Sequence, residues 1–96
     1  VTLHHLLLLD AGDNILLATR TLPAGSPVQI DGEPLTLAQN LLLGHKIARR
    51  NIEPGEQIIK YGMPIGRATQ PIPRGAHVHV HNIASAYTAT HLLEPT

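Results

Sequence analysis

Three histidines stand at every second position of the segment GAHVHVHN, residues 75–82: His77, His79 and His81. Neutral imidazole offers a lone pair to a metal ion, or takes and returns a proton near its ordinary pKa of about 6.5. Either chemistry requires rings that converge. On a β-strand, residues i and i+2 project from one face. The three imidazoles therefore share a side, and Val78 and Val80 point the other way, towards the core. A straight strand holds His77 and His81 about 13 Å apart at about 3.3 Å per residue, whereas metal–nitrogen bonds are about 2.0–2.1 Å long. The spacing thus lets a neighbouring pair share an ion, with the remaining ligands supplied from elsewhere, another polypeptide included. It equally suits an exposed face of solvated, hydrogen-bonded imidazoles, and the alternation leaves both readings open.

The other candidate groups are more dispersed. His45 follows Gly44 and precedes Lys46 in GHKIARR; a lone histidine at a strand entrance serves either as a structural hydrogen-bonding group or as a catalytic one. Lys60 and Arg67, in KYGMPIGRA, carry charges suited to holding a carboxylate. His4, His5 and His91 stand outside any pattern, and Gly12-Asp13-Asn14 reads as a turn. Arg49-Arg50 is too short a basic run for a nucleic-acid patch. Neither Ser26 nor Ser85 lies in a nucleophile elbow, and there is no glycine-rich phosphate loop leading into a helix.

The elements that position these groups follow from composition and pattern. With 96 residues the chain is read as one domain, 1–96. It has no Phe and no Trp, so Leu, Ile and Val supply the core. Absent cysteine excludes disulfides, thiolate nucleophiles and cysteine-ligated clusters, and fits a cytoplasmic location. Seven Lys and Arg balance seven Asp and Glu, which argues against a general nucleic-acid or anionic-membrane binder. No run of about 20 apolar residues is present, and LHHLLLLD near the start is too short, without a basic flank, to read as a signal peptide.

Three segments align without gaps: ATRTLPAGSPV (18–28), ARRNIEPGEQI (48–58) and ATQPIPRGAHV (68–78). Each carries Ala, then Leu or Ile four residues on, Gly three further, and Val or Ile three beyond that. Proline presets φ and glycine accepts positive φ, so each centre predicts a tight turn between strands. The intervals of 30 and 20 residues are too uneven for a solenoid and predict a compact β-domain of hairpin-like units. Strands are expected near 2–9, 14–20, 27–30, 45–50, 57–60, 65–70 and 76–81. Residues 35–46 suit either a turn or two of helix closed by Gly44 or a strand with an irregular lead-in. The tail after Asn82 has weak periodicity, that of a segment that frays or packs on a partner.

Residues 43–82, LGHKIARRNIEPGEQIIKYGMPIGRATQPIPRGAHVHVHN, closely resemble the SAF domain at the N-terminus of the altronate dehydratase (UxaA) family. Gly44-His45-Lys46, Ile59-Lys60-Tyr61-Gly62, Pro64-Ile65-Gly66 and His79-Val80-His81-Asn82 carry the likeness, which extends weakly upstream. The resemblance implies a mainly β chain, a small β-clip domain with at most one or two short helical turns. It further implies a component of a hydro-lyase that dehydrates a sugar acid to a 2-keto-3-deoxy acid with Fe2+ or Mn2+. The domain would accompany a large catalytic part, as a fused C-terminal catalytic domain or a separate large subunit, and is expected to be inactive alone; a homo-oligomer is compatible. The small subunit of sulfolactate sulfo-lyase shares the His-x-His-Asn ending, whereas galactarate dehydratases differ at this strand.

On this reading His79, His81 and His45 are the candidate acid–base groups. His79, His81 and His77 are the candidate metal ligands, and Lys60, Arg67 and Asn82 the candidate substrate contacts. Dehydration beside a carboxylate needs a base, an acid and a stabiliser of the enediolate, and this chain supplies only part of that set. The rival reading is a non-catalytic module that binds a small acid or tethers a partner. Ice binding, known for other SAF domains, fits poorly with charged and histidine-bearing strands.

Overall fold

The computed structural model describes residues 5–85. Nine short strands make up this part: β1 (Leu6–Leu7), β2 (Ile15–Ala18), β3 (Pro27–Ile30), β4 (Glu33–Thr36), β5 (Lys46–Ala48), β6 (Gln57–Lys60), β7 (Met63–Ala68), β8 (His77–Val78) and β9 (Ile83–Ser85). They form three small antiparallel sheets, in the orders β1-β2-β5-β8, β3-β4 and β6-β7-β9. No α-helix occurs among the described residues. The expected mainly β architecture is thus the observed one, and residues 35–46 form neither a helical turn nor a continuous strand: β4 ends at Thr36, Leu41 makes an isolated bridge and β5 begins at Lys46.

The three sequence repeats have a fourth copy, which explains their uneven intervals. Leu37, Leu41, Gly44 and Ile47 occupy the same offsets as Ala18, Leu22, Gly25 and Val28, as Ala48, Ile52, Gly55 and Ile58, and as Ala68, Ile72, Gly75 and Val78. Leu37 replaces the leading Ala, and no proline marks the centre. The copies pair two by two. Leu22 and Leu41 exchange backbone hydrogen bonds at 2.8 Å, and Ile52 and Ile72 do so at 2.8 and 2.9 Å. The glycine N–H groups then cross over: Gly44 donates to Ala18, Gly25 to Leu37, Gly75 to Ala48 and Gly55 to Ala68. All four glycines have positive φ, between 82° and 88°, which glycine adopts without steric cost.

Residues just before the bridges cap the facing turns. Asn40 Oδ1 accepts from Ala24 N and Asn51 Oδ1 from Arg74 N, both at 2.8 Å, while Thr21 Oγ1 accepts from Leu43 N at 3.1 Å. The fourth position holds Pro71, which has no side-chain acceptor. The backbone nitrogen that would face it belongs to Pro54, which has no N–H to satisfy.

Each pair of copies fills one core. Ala18, Leu22, Val28, Leu37, Leu41 and Ile47 pack with Leu6, Leu16 and Ile30 in one cluster. Ala48, Ile52, Ile58, Ala68, Ile72 and Val78 pack with Ile15 in the other. The four-stranded sheet lies between them, because successive strand residues face opposite sides: Leu16 and Ile47 belong to the first cluster, Ile15, Ala48 and Val78 to the second. Two buried polar residues fasten this sheet to the β6–β7 hairpin. Asn14 uses its amide as a strand would, accepting from Ile59 N and donating to Gln57 O, each at 2.8 Å. The Asp13 carboxylate accepts from Tyr61 N and Gly62 N at 2.8 Å, holding both in the positive-φ conformation of a tight hairpin turn.

Several boundaries differ from the sequence expectation. β4 and β9 arise in stretches read as turn and tail; β9 pairs with β7, Ile83 opposite Ala68, and the rest of the tail lies outside the described residues, as do residues 2–4 of the first expected strand. The 76–81 strand ends at Val78, where the chain turns through 79–82 with Asn82 N donating to His79 O at 3.0 Å. Val78 is fully buried as expected, but Val80 sits on that turn, 78% exposed, rather than in the core.

Candidate functional site

The histidine segment converges because two strands contribute and because it turns. β5 and β8 run antiparallel with Lys46 opposite Val78 and Ile47 opposite His77. One step further along the same register brings His45 opposite His79. These positions alternate onto the face that carries Ile47, so His45, His77 and His79 lie together on the first-core side. Gly44, in its positive-φ turn, delivers His45 to the start of β5. The turn after Val78 swings His81 back, leaving its ring centroid 5.6 Å from that of His77, far less than a straight strand would impose.

Three half-buried imidazoles therefore form a tight group. Nitrogen atoms of His45, His77 and His79 all lie within 4.8 Å of one another. His45 Nδ1 and His77 Nε2 are 3.0 Å apart, at hydrogen-bond distance. Their ring centroids are 5.1 Å apart and their planes nearly parallel, so these two rings meet edge to edge. His79 lies with its centroid 4.8 Å from His45 and 5.2 Å from His77. The group contains no carboxylate among the described residues. Three imidazole nitrogens make a suitable donor set for a divalent transition ion. Partial burial pushes the His77 pKa below its usual value, with further lowering by charge on His45, His79, His81 and Lys46. The neutral ring that this favours is the form that ligates metal or accepts a proton.

Asn82 holds the arrangement. It is 4% exposed; its Oδ1 accepts from His79 N at 3.0 Å and its Nδ2 donates to His77 O at 2.8 Å. Both polar ends of the side chain are thus bound to the backbone of the histidine segment. Lys60 closes β6 opposite Met63. It neighbours Lys46, whose pKa is lowered by burial and then by the charge of Lys60. Arg67 is exposed on β7, and its Nη1 donates to Gly55 O at 2.8 Å. The structure therefore brings His45, named apart from the triplet in the sequence, together with His77 and His79, keeps His81 adjacent, and places Lys60 and Arg67 on another sheet. Lys46 and the fastening role of Asn82 escaped the sequence reading. The fourth repeat copy was the available signal for the first, since it sets β5 against its partner strands.

An apolar recess of about 90 Å³ adjoins the cluster, lined by Leu37, Leu41, Ile47, Ala76 and His77 among others. Small-molecule sites usually span about 300–1,000 Å³, so this recess does not enclose a six-carbon acid. A wider, open hollow is walled by Asp13, Asp31 and Arg49. The Arg49 guanidinium there is already bound to Asp31 and to the carbonyls of Ala11 and Asp13. No described helix is long and apolar enough to cross a membrane.

Comparison with known proteins agrees with this architecture. The altronate/galactarate dehydratase SAF domain family matches over residues 4–86. Altronate dehydratase from Escherichia coli (strain K12) is 43% identical over 74 residues, covering 77% of this chain and 15% of the relative. Altronate dehydratase from Bacillus subtilis (strain 168) is 43% identical over 70 residues, 73% of this chain and 14% of the relative. The (2R)-sulfolactate sulfo-lyase subunit alpha of Chromohalobacter salexigens is 51% identical over 41 residues, 43% of this chain and 44% of the relative. The match thus spans about 15% of the altronate dehydratases.

Proposed function

The chain belongs to the altronate/galactarate dehydratase SAF domain family, and from that premise we propose that it completes the active site of a metal-dependent sugar-acid hydro-lyase whose larger part, the catalytic body, is a fused C-terminal domain or a large subunit. One observation carries this reading. The imidazole cluster is a partly exposed, carboxylate-free group beside a recess too small for the substrate. Such a group is chemically competent and structurally open, as half of a shared site must be.

A divalent ion of the Fe2+ or Mn2+ class, when bound at the shared site, supplies the Lewis acidity that a developing enediolate needs. His45, His77 and His79 are the residues of this chain that would hold it. His81, exposed on the turn beside them, is placed to move a proton: to take the proton α to the carboxylate, or to give one to the departing hydroxide. Partial burial, and then the neighbouring positive charges, lower the His77 pKa and so favour its neutral ring. Lys46 faces the second-core side, opposite Val78, so Lys60 beside it would attract a carboxylate only where the catalytic part brings substrate around to that face. Asn82 acts by positioning the histidine backbone, and Arg67 serves the substrate only if the body folds over β7.

Reconstitution tests the proposal. The body alone should be inactive on a hexonate such as altronate, and adding this chain with Fe2+ under anaerobic conditions should restore release of the 2-keto-3-deoxy acid, with Mn2+ as the comparison ion. A His79→Ala/His81→Ala chain should assemble normally yet lower turnover several hundredfold, about 3–4 kcal/mol in barrier. Full activity of the body without the chain overturns the reading, and wild-type turnover with the double variant reduces the domain to a tether. The 51% identity to a sulfo-lyase subunit favours a second substrate class, 2-hydroxy-3-sulfo acids. The same assay distinguishes it by sulfite release.

A further inference from the structure

We infer that His45, His77 and His79 constitute a three-nitrogen metal half-site carried whole by this chain, selective for Fe2+, Co2+ and Zn2+ over Mn2+, with His81 outside the coordination sphere. The inference deepens the functional reading by making the site bind metal in this chain alone, by excluding His81 and by fixing which ions fit. It rests on the imidazole face being the working face, whatever the catalytic body does.

Geometry carries the ligand assignment. Two nitrogens bound to one ion at about 2.0–2.1 Å lie about 3.0 Å apart at a right angle and about 3.4 Å apart at the tetrahedral angle. His45 Nδ1 and His77 Nε2 stand 3.0 Å apart as a hydrogen-bonded pair, so the spacing is that of two ligands of one ion once each ring rotates to turn its lone pair from the other nitrogen to the ion. The widest separation within the trio, 4.8 Å, closes with a movement of about 1.5 Å, within reach of a side-chain rotation. The backbone beneath is fixed: β5 and β8 are hydrogen-bonded strands, and Asn82 clamps His77 and His79 from behind. His81 has no such position. Its ring is tilted 37° to that of His77, and it falls outside the group of converging nitrogens.

Donor chemistry carries the selectivity. Imidazole nitrogen suits Fe, Ni, Cu and Zn, whereas Mn2+ favours oxygen ligands and stands lowest among the first-row divalent ions in affinity for such sites. The trio offers nitrogen alone, without a carboxylate among the described residues. Strand β8 at His77 and the turns flanking β5 and β8 at His45 and His79 supply the three nitrogens on one side, leaving the solvent side for water, substrate or a partner's ligand.

The test is anaerobic titration of the full 96-residue chain with Co2+, read by its visible absorption, followed by competition with Zn2+, Fe2+ and Mn2+. One ion per chain should bind. His45→Ala, His77→Ala and His79→Ala should each weaken binding at least about 100-fold, His81→Ala should change it less than about threefold, and Mn2+ should bind at least about 100-fold more weakly than Zn2+. Circular dichroism and the metal-free melting temperature verify folding, and His45→Gln repeats the test with a polar side chain. Wild-type binding in both His45 variants, loss in His81→Ala, equal affinity for Mn2+, or no binding by the wild-type chain each overturns the inference. The reconstitution assay separates the two claims. A chain that binds Co2+ but leaves turnover unaffected retains the half-site and sinks the functional reading. A chain that binds no metal but is required for turnover does the reverse.

Discussion

Asn82 decides where the imidazoles stand without offering them anything itself. Its side chain occupies the inside of the 79–82 turn, accepting from His79 N and donating to His77 O. Replacement by Ala leaves a part-buried N–H and a carbonyl without their partners, which costs about 1–3 kcal/mol. Asn82→Asp keeps the acceptor and loses the donor, so its cost falls between Ala and wild type. Urea unfolding should show that order, Ala below Asp below wild type. Because the clamp positions His79, both variants should also weaken Co2+ binding, by about 10–100-fold as for groups that orient metal ligands. Unchanged stability in Asn82→Ala would show that the clamp contributes nothing. The family resemblance implied a substrate contact here, through the motif His79-Val80-His81-Asn82. Its partners are backbone atoms of its own segment, and an amide bound to the backbone is written in the sequence no differently from one facing a ligand.

At the scale of elements, the repeat was legible wherever proline and glycine marked its centre, and hidden where Leu42-Leu43-Gly44 took their place. Three copies sufficed to predict short strands joined by tight turns, because the turn chemistry is local. They did not predict the pairing, which depends on the unmarked copy facing the first. The histidine strand shows the complementary limit. Alternation placed Val78 in the core correctly, but nothing local announced that the Asn82 clamp would end the strand and expose Val80. The four turn glycines now differ in a testable way. A Cβ on Gly55 would meet no heavy atom within 4 Å, whereas one on Gly75 would lie 2.7 Å from Leu35 Cδ2 and 2.8 Å from its Cδ1. Both glycines have φ of +85°. Gly55→Ala should therefore cost about 1 kcal/mol, the strain of left-handed backbone alone. Gly75→Ala should cost about 2–4 kcal/mol, because Leu35 must also leave its packing against the first core. Thermal unfolding of the two variants gives the comparison, and equal losses would mean that Leu35 moves aside freely.

For the whole molecule, a single sheet shared by two cores makes a narrow body, 46 × 24 × 22 Å. That body displays its imidazoles at one place and cannot wrap a ligand around them. On the proposed function a catalytic body covers this face, a reading that the size of the altronate dehydratase relatives supports, since the match spans about 15% of them. The side chains that bracket the histidines support that occupant. Val80 lies between His79 and His81, and Leu42 and Leu43 lead into Gly44 and His45; all three are exposed. Exposed aliphatic groups beside polar ligands suit an interface that must exclude water around a metal. Leu43→Asp combined with Val80→Asp should leave folding within about 0.5 kcal/mol of wild type, since neither side chain is packed. The same pair should weaken association with the catalytic body at least tenfold, about 1.4 kcal/mol. Tyr61→Asp combined with Met63→Asp provides the counterpart: these residues are equally exposed, but they belong to the β6–β7 hairpin that Asp13 fastens. Association measured by calorimetry or interferometry should respond to the first pair and not the second. The opposite result would assign the docking face to the hairpin and leave the imidazole cluster open to solvent in the assembled enzyme, where it could not complete a closed active site.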